Sequence, residues 1–170
     1  GSSNFVPFPY YANDNSFGGG VNGQLGWTFV PGTQAYPFLA FEQLTANEVT
    51  PQPFPPYGIF THPGDTPVVI KFQVPAGTII NYISADIQRP TFGCGNNIGY
   101  TIKKSDGTDI YSRVQVPSSS TPISYIMSSP VFFASSEFVY FIIDRGDDGN
   151  YYCDDTALDV SITMTTSVVN

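Results

Sequence analysis

Six aspartates crowd one stretch of the chain. In DRGDDGNYYCDDTALDVSITM, residues 144 to 164, Asp144, Asp147, Asp148, Asp154, Asp155 and Asp159 follow one another closely around a cysteine. Neighbouring carboxylates repel, and burial penalises the ionised form, so such a cluster needs solvent, a cation or a sugar's hydroxyls to offset it. Calcium gathers oxygen ligands of this kind, roughly six to eight at a time and in loose geometry, which makes it the candidate structural ion. The spacing is not that of an EF-hand, because Asp144, Asp147, Asp148 and Gly149 miss its alternate positions. A hydrated turn accounts for the same residues, since Asp and Gly both suit turn geometry. Arg145, Gly146 and Asp147 also spell RGD, an adhesion tripeptide in pattern and one that chance readily produces.

Sugar recognition needs flat aromatic faces and a few directed polar groups on a rigid scaffold. Two sets of residues have the right types. The first, on the outward side of a sheet face by alternation, is Tyr82, Asp86, Gln88, Lys71, Gln73, Thr101, Lys103 and Tyr140; the second, on the loop rim, is Trp27, Tyr57, Phe60, His62, Arg89, Asn96, Asn97, Tyr151 and Tyr152. Each has a plainer explanation. Outward tyrosines are ordinary strand formers, a single tryptophan commonly anchors a core, and His62 in THPG suits the organisation of a turn. Acid-base catalysis has little to draw on, with one histidine and only Glu42, Glu48 and Glu137 as glutamates. No nucleophile elbow, phosphate loop or metal triad occurs, so the expectation is binding without chemistry. Cys94 and Cys153 form no CxxC pair, and with one histidine they make a poor zinc site. They are either two buried thiols or one disulfide, which would close a loop of about 60 residues and contribute roughly 4 kcal/mol in the chain-entropy account. Few lysines, many hydroxyl and amide side chains and an acidic balance favour the disulfide and an oxidising, extracellular or surface-displayed setting.

These side chains must be positioned by strands. PVVIKFQV sets Val68, Ile70, Phe72 and Val74 on one face and Val69, Lys71 and Gln73 on the other, the period of two of a half-buried strand. IINYISADIQ sets Ile83, Ala85 and Ile87 against Tyr82, Ser84, Asp86 and Gln88. IGYTIKKSDGTDIYSRVQV reads as a hairpin about an Asp-Gly turn with Ile98, Tyr100 and Ile102 inward. Val139, Phe141 and Ile143, then Leu158, Val160, Ile162 and Met164, face inward on the last two strands. The proline-dense TPQPFPPYGIFTHPGDTP, residues 50 to 67, reads as a surface excursion, because proline cannot donate to a ladder. Residues 1–26 read as an extended arm with room for one edge strand, the opening GSS (1–3) as an expression scar, and 27–170 as one domain.

Composition agrees with an all-β chain of 170 residues, which has 16 Gly, 15 Pro, 14 Phe and 11 Tyr. The formal net charge of -8 opposes a phosphate backbone or anionic membrane, and no stretch is long and apolar enough for a membrane helix. Seven to nine short strands with turns near every ten residues predict an antiparallel sandwich or barrel.

The order of the pieces carries a resemblance. THPGDTPVVIKFQVPAG, IINYISADIQ, GCGNNIGYTI with its polar hairpin, SSEFVYFIIDRG and YYCDDTALDVSITM resemble the jelly-roll β-sandwich domains attached to carbohydrate-active enzymes and surface proteins. Those domains are similar to carbohydrate-binding modules of the galactose-binding-like type, and the likeness spans residues 27 to 164. It implies a non-catalytic module for a glycan or polysaccharide, with Tyr82, Asp86, Gln88, Lys103, Tyr140, Trp27, Tyr57 and Arg89 as candidate contacts. It also implies one structural calcium near the closing strand, held first by Asp155 in the Asp-Thr element and then by Asp154 and Asp148. The glycine-rich loop and the closing loop would lie at one end, where Cys94 and Cys153 can meet as a disulfide. The alternative is a structural or adhesive surface or virion domain, with the aromatic, glycine-rich residues 4 to 20 packing onto other subunits of the same assembly.

Overall fold

The computed structural model describes residues 10–12, 25–28, 38–41, 59–89, 97–127, 129–150, 152 and 154–166. The strands are β1 (Tyr10–Ala12), β2 (Leu25–Thr28), β3 (Phe38–Phe41), β4 (Ile59–His62), β5 (Val68–Val74), β6 (Thr78–Arg89), β7 (Ile98–Lys104), β8 (Asp109–Val116), β9 (Ser119–Met127), β10 (Val131–Phe133), β11 (Glu137–Asp144) and β12 (Thr156–Thr166). No helix occurs among the described residues.

Every pairing is antiparallel. One sheet runs β4-β12-β6, with β9 and β10 both against the far edge of β6, and β3, β2 and β1 extend it beyond β4. The other runs β5-β11-β7-β8. With the short β10 set aside, the orders β4-β12-β6-β9 and β5-β11-β7-β8 are those of a jelly roll, eight strands wrapped as two Greek keys. Of the all-β sandwich and barrel expected from the alternation, the sandwich is therefore the fold.

The core lies between the sheets. Ile80, Ile83, Ala85, Ile87, Phe133 and Leu158 from the first sheet meet Val74, Ile98, Tyr100, Ile102, Val116, Val139, Phe141 and Ile143 from the second. Burying each large aliphatic or aromatic side chain contributes about 1.5–3 kcal/mol, so this list dominates the favourable side of folding. Tyr100 of β7 packs against Tyr125 of β9 with ring centroids 5.8 Å apart, joining the two layers near their free edges.

Local departures from alternation have identifiable causes. In the β6–β12 pairing the register shifts between Thr163 and Met164, leaving Asn81 as the extra residue. That bulge lets Ile80 and Ile83, three positions apart, both reach the core. Met164, expected inside, is 39% exposed on the outlying stretch of β12 beyond the bulge. The β7–β8 hairpin forms where expected, but over a three-residue loop: Gly107 N donates to Lys104 O at 3.0 Å and Lys104 N to Thr108 O at 2.8 Å. Gly107 takes φ 89, the left-handed position that completes such a loop. The proline-dense run is more than an excursion. Its end forms β4, paired with both β3 and β12, with Thr61 and His62 buried. Proline is absent from those four residues themselves, so nothing breaks the ladder there.

Candidate ligand-binding face

The acidic stretch joins β11 to β12, and arginines hold most of it. Arg113 of β8 grips Asp144 through two bonds, Nε to Oδ2 at 2.9 Å and Nη2 to Oδ1 at 2.8 Å, and reaches Asp147 with Nη1 at 2.5 Å. The Arg113 bond holds the Asp144 carboxyl below its ordinary range. Gly99 lies directly beneath: a Cβ there would stand 2.3 Å from Asp144 Oδ1. Arg145 reaches Asp65 at 2.7 Å, so both charged residues of the RGD triplet are engaged within the fold. Asp148 caps its own turn, accepting from Asn150 N at 3.2 Å.

At the neighbouring end of β6, Arg89 and Asp154 form an ion pair at 2.8 Å with side chains only 1% and 0% exposed. Arg89 also donates to Ser118 Oγ at 3.2 Å. Burial pushes the Asp154 carboxyl up to about 7, with Asp148 and Asp155 adding repulsion and Arg89 opposing. Burial likewise lowers the Arg89 guanidinium, against the pull of Asp154. His62 Nδ1 lies 2.7 Å from Pro63 O; a carbonyl only accepts, so this nitrogen carries the proton. Its Nε2 is 4.0 Å from Asp155 Oδ1, and burial lowers the imidazole's pKa although Asp155 pulls the other way.

The three carboxylates expected to hold calcium, Asp148, Asp154 and Asp155, thus all act on the guanidinium of Arg89. Among the described residues no three His, Cys, Asp or Glu side chains are grouped so as to hold a metal ion. Of the three, Asp154 is paired directly with Arg89, at 2.8 Å. Among the described residues Asp154 Oδ2 has no hydrogen-bond partner, so Arg89 satisfies only one of the two carboxylate oxygens.

The first set of sugar-binding candidates divides between the two outer surfaces of the sandwich. Tyr82, Ser84 and Asp86 lie outward on β6, where Asp86 stands opposite Asp159 of β12 and accepts from Ser124 Oγ of β9. The same surface exposes Ile126 (50%) and Phe132 (58%). Gln88 keeps the outward parity opposite Ala157, yet both are buried, so that end of the surface is covered. Arg89, expected on the rim, is interior for the reason given above. Thr101 is also buried despite its outward parity.

Lys71, Gln73, Lys103 and Tyr140 belong to the other surface, that of β5-β11-β7-β8. Tyr140 stands in one register row between Lys71 and Lys103. Two residues away on the same face, Phe138 stacks beside it, with ring centroids 6.4 Å apart and planes inclined at 27°. Lys71 Nζ sits 3.6 Å over the Phe138 ring, Lys103 Nζ meets Asp109 Oδ1 at 2.5 Å, and Gln73 Nε2 donates to Ser136 Oγ at 3.3 Å. Phe138 escaped the reading of the sequence, although the alternation that sends Val139 and Phe141 inward already sends Phe138 outward with Tyr140.

Among the rim candidates, Asn97 is exposed and Tyr152 is 67% exposed. Trp27 and Phe60 are described as backbone within β2 and β4, and their side chains lie outside the described residues, as do Tyr57, Asn96, Tyr151, Cys94 and Cys153. The disulfide expectation therefore falls on residues outside those described.

Comparison with family models, curated proteins and solved structures finds no match to this chain.

Proposed function

We propose that the protein is a non-catalytic carbohydrate-binding module of a secreted or surface-displayed protein, and that it binds its glycan on the outer surface of β5-β11-β7-β8. The observation that carries the reading is the stacked Phe138 and Tyr140 pair, half-buried on the outward face of β11 and flanked by Lys71, Gln73, Lys103 and Asp109. Two nearly parallel rings offer an apolar platform to the C–H side of a pyranose, and the bordering ammonium, amide and carboxylate groups match its hydroxyls. A shallow surface that exchanges water for hydroxyls gives modest affinity, so repeated copies or neighbouring modules supply much of the avidity.

A glycan array followed by titration tests this. Tyr140→Ala and Phe138→Ala should each abolish measurable binding, while Tyr82→Ala on the opposite surface leaves it unchanged. Binding that disappears with Tyr82→Ala and survives Tyr140→Ala would move the site to the other sheet.

A second reading, a structural or adhesive domain, is favoured by Ile126 and Phe132, which stand exposed on the opposite sheet. Light scattering distinguishes it: stable oligomers that Phe132→Ser disperses, together with a silent glycan array, would support assembly instead.

A further inference from the structure

Resting on that reading, we infer that the glycan is a uronic acid polymer, its carboxylates seated on Lys71 and Lys103 at either side of the Tyr140 ring. Lys71 and Lys103 occupy the strands that flank β11, in the row of Tyr140 itself. Across two strand spacings their backbones stand about 9.5 Å apart. Such a span brackets a sugar ring resting on the tyrosine.

The charge of the molecule makes this row unusual. The chain carries a formal net charge of -8 with only six basic residues. Arg89 is buried against Asp154, Arg113 is committed to Asp144 and Asp147, and Lys104 lies near Glu137 at 3.6 Å. Arg145 pairs with Asp65, and the remaining two lysines, beside the aromatic pair, make their contacts at the surface. Lys71 rests on the Phe138 ring and Lys103 meets a carboxylate that is itself 40% exposed, and contacts of both kinds at a surface are weak enough to be shared with an incoming anion. Distant aspartates interfere little, because exposed charges are screened beyond about 8 Å at physiological salt.

The same row argues for carboxylate over sulfate. Two lysines less one aspartate leave a single net positive charge. That suits a chain with one charge per ring better than a densely sulfated one.

The experiment uses polygalacturonate, its fully methyl-esterified form, which keeps the backbone and loses the charge, and dextran sulfate. Binding of polygalacturonate and not the ester is expected. It should weaken about tenfold in Lys71→Gln/Lys103→Gln, two exposed ion pairs being lost, and vanish in Tyr140→Ala. An unchanged melting temperature in the lysine variant keeps the comparison one of binding. If the ester binds as tightly as the acid, the acidic class is overturned while the sheet surface stands. If dextran sulfate binds more tightly and depends equally on the lysines, the uronate assignment is overturned. If no glycan binds across a broad array, the functional reading itself fails, and this inference with it.

Discussion

At the scale of single residues, the acidic stretch is offset by the chain's own cations. Asp154 has a raised folded-state pKa, so the stability it contributes is full below its unfolded value of 3.8 and is lost as pH rises through about 7. His62 has a lowered one, so its contribution runs the other way, with stability falling as pH drops below 6.5. Denaturant titrations between pH 4 and 8 should therefore show Asp154→Asn improving relative to the wild type as pH rises. The opposite slope would mean that Arg89, and not burial, controls the carboxyl. Two glycines separate strain from crowding. Gly146 has φ 74 and a Cβ there would lie 2.0 Å from the Asn97 carbonyl oxygen, so Gly146→Ala should destabilise by at least about 1–2 kcal/mol. At Gly99 the obstacles are the movable ends of Asp144 and Arg113, so Gly99→Ala displaces an exposed ion pair and should cost at most about 1 kcal/mol. Chemical denaturation of the two variants checks the order.

At the scale of elements, the strands that alternate cleanly were legible and their partners were not. Val139, Phe141 and Ile143 face the core as the pattern of two requires, and Phe141→Ala should cost about 3–5 kcal/mol in a melt or denaturant titration. Alternation fixes only which side of its own strand a residue takes, whereas sheet membership comes from pairings far apart in sequence. Hence Tyr82 and Tyr140, both correctly outward, were read as one surface although β6 and β11 lie in different layers. The strand β4 was hidden because prolines on either side of IFTH look like loop, and four residues are too few for a pattern to emerge. Gln88 and Arg89 lie where the β6–β9 register shifts between Ile87 and Arg89, so simple parity no longer reports exposure there. The Arg89 and Asp154 pair, 65 positions apart, left no local signal at all.

At the scale of the whole molecule, Lys71 and Lys103 flank Tyr140 on the β5-β11-β7-β8 sheet, while the described outer surface of β6 and β12 carries Asp86 and Asp159 opposite each other. An open surface with apolar Ile126 and Phe132 at one part and like charges at another disfavours close stacking at the acidic part. Calcium was expected from the carboxylate count, and Asp154, one of its three expected ligands, is paired with Arg89. Stabilisation by a bound ion follows mass action, so the melting midpoint should be indifferent to millimolar calcium and to chelator. An upward shift with free calcium would restore the ion and require the Arg89 contacts to rearrange.

The place of β12 has a consequence for how the chain can assemble. It is inserted between β4 and β6, so the three strands that precede β4 have no anchored edge to join until the final strand has slotted home. Closure of such long-range pairs is slow. A polypeptide emerging gradually from a ribosome or an export channel would keep β1, β2 and β3 undocked until nearly all of it had arrived, which leaves those strands open to chaperones, neighbouring copies or proteases for the whole interval.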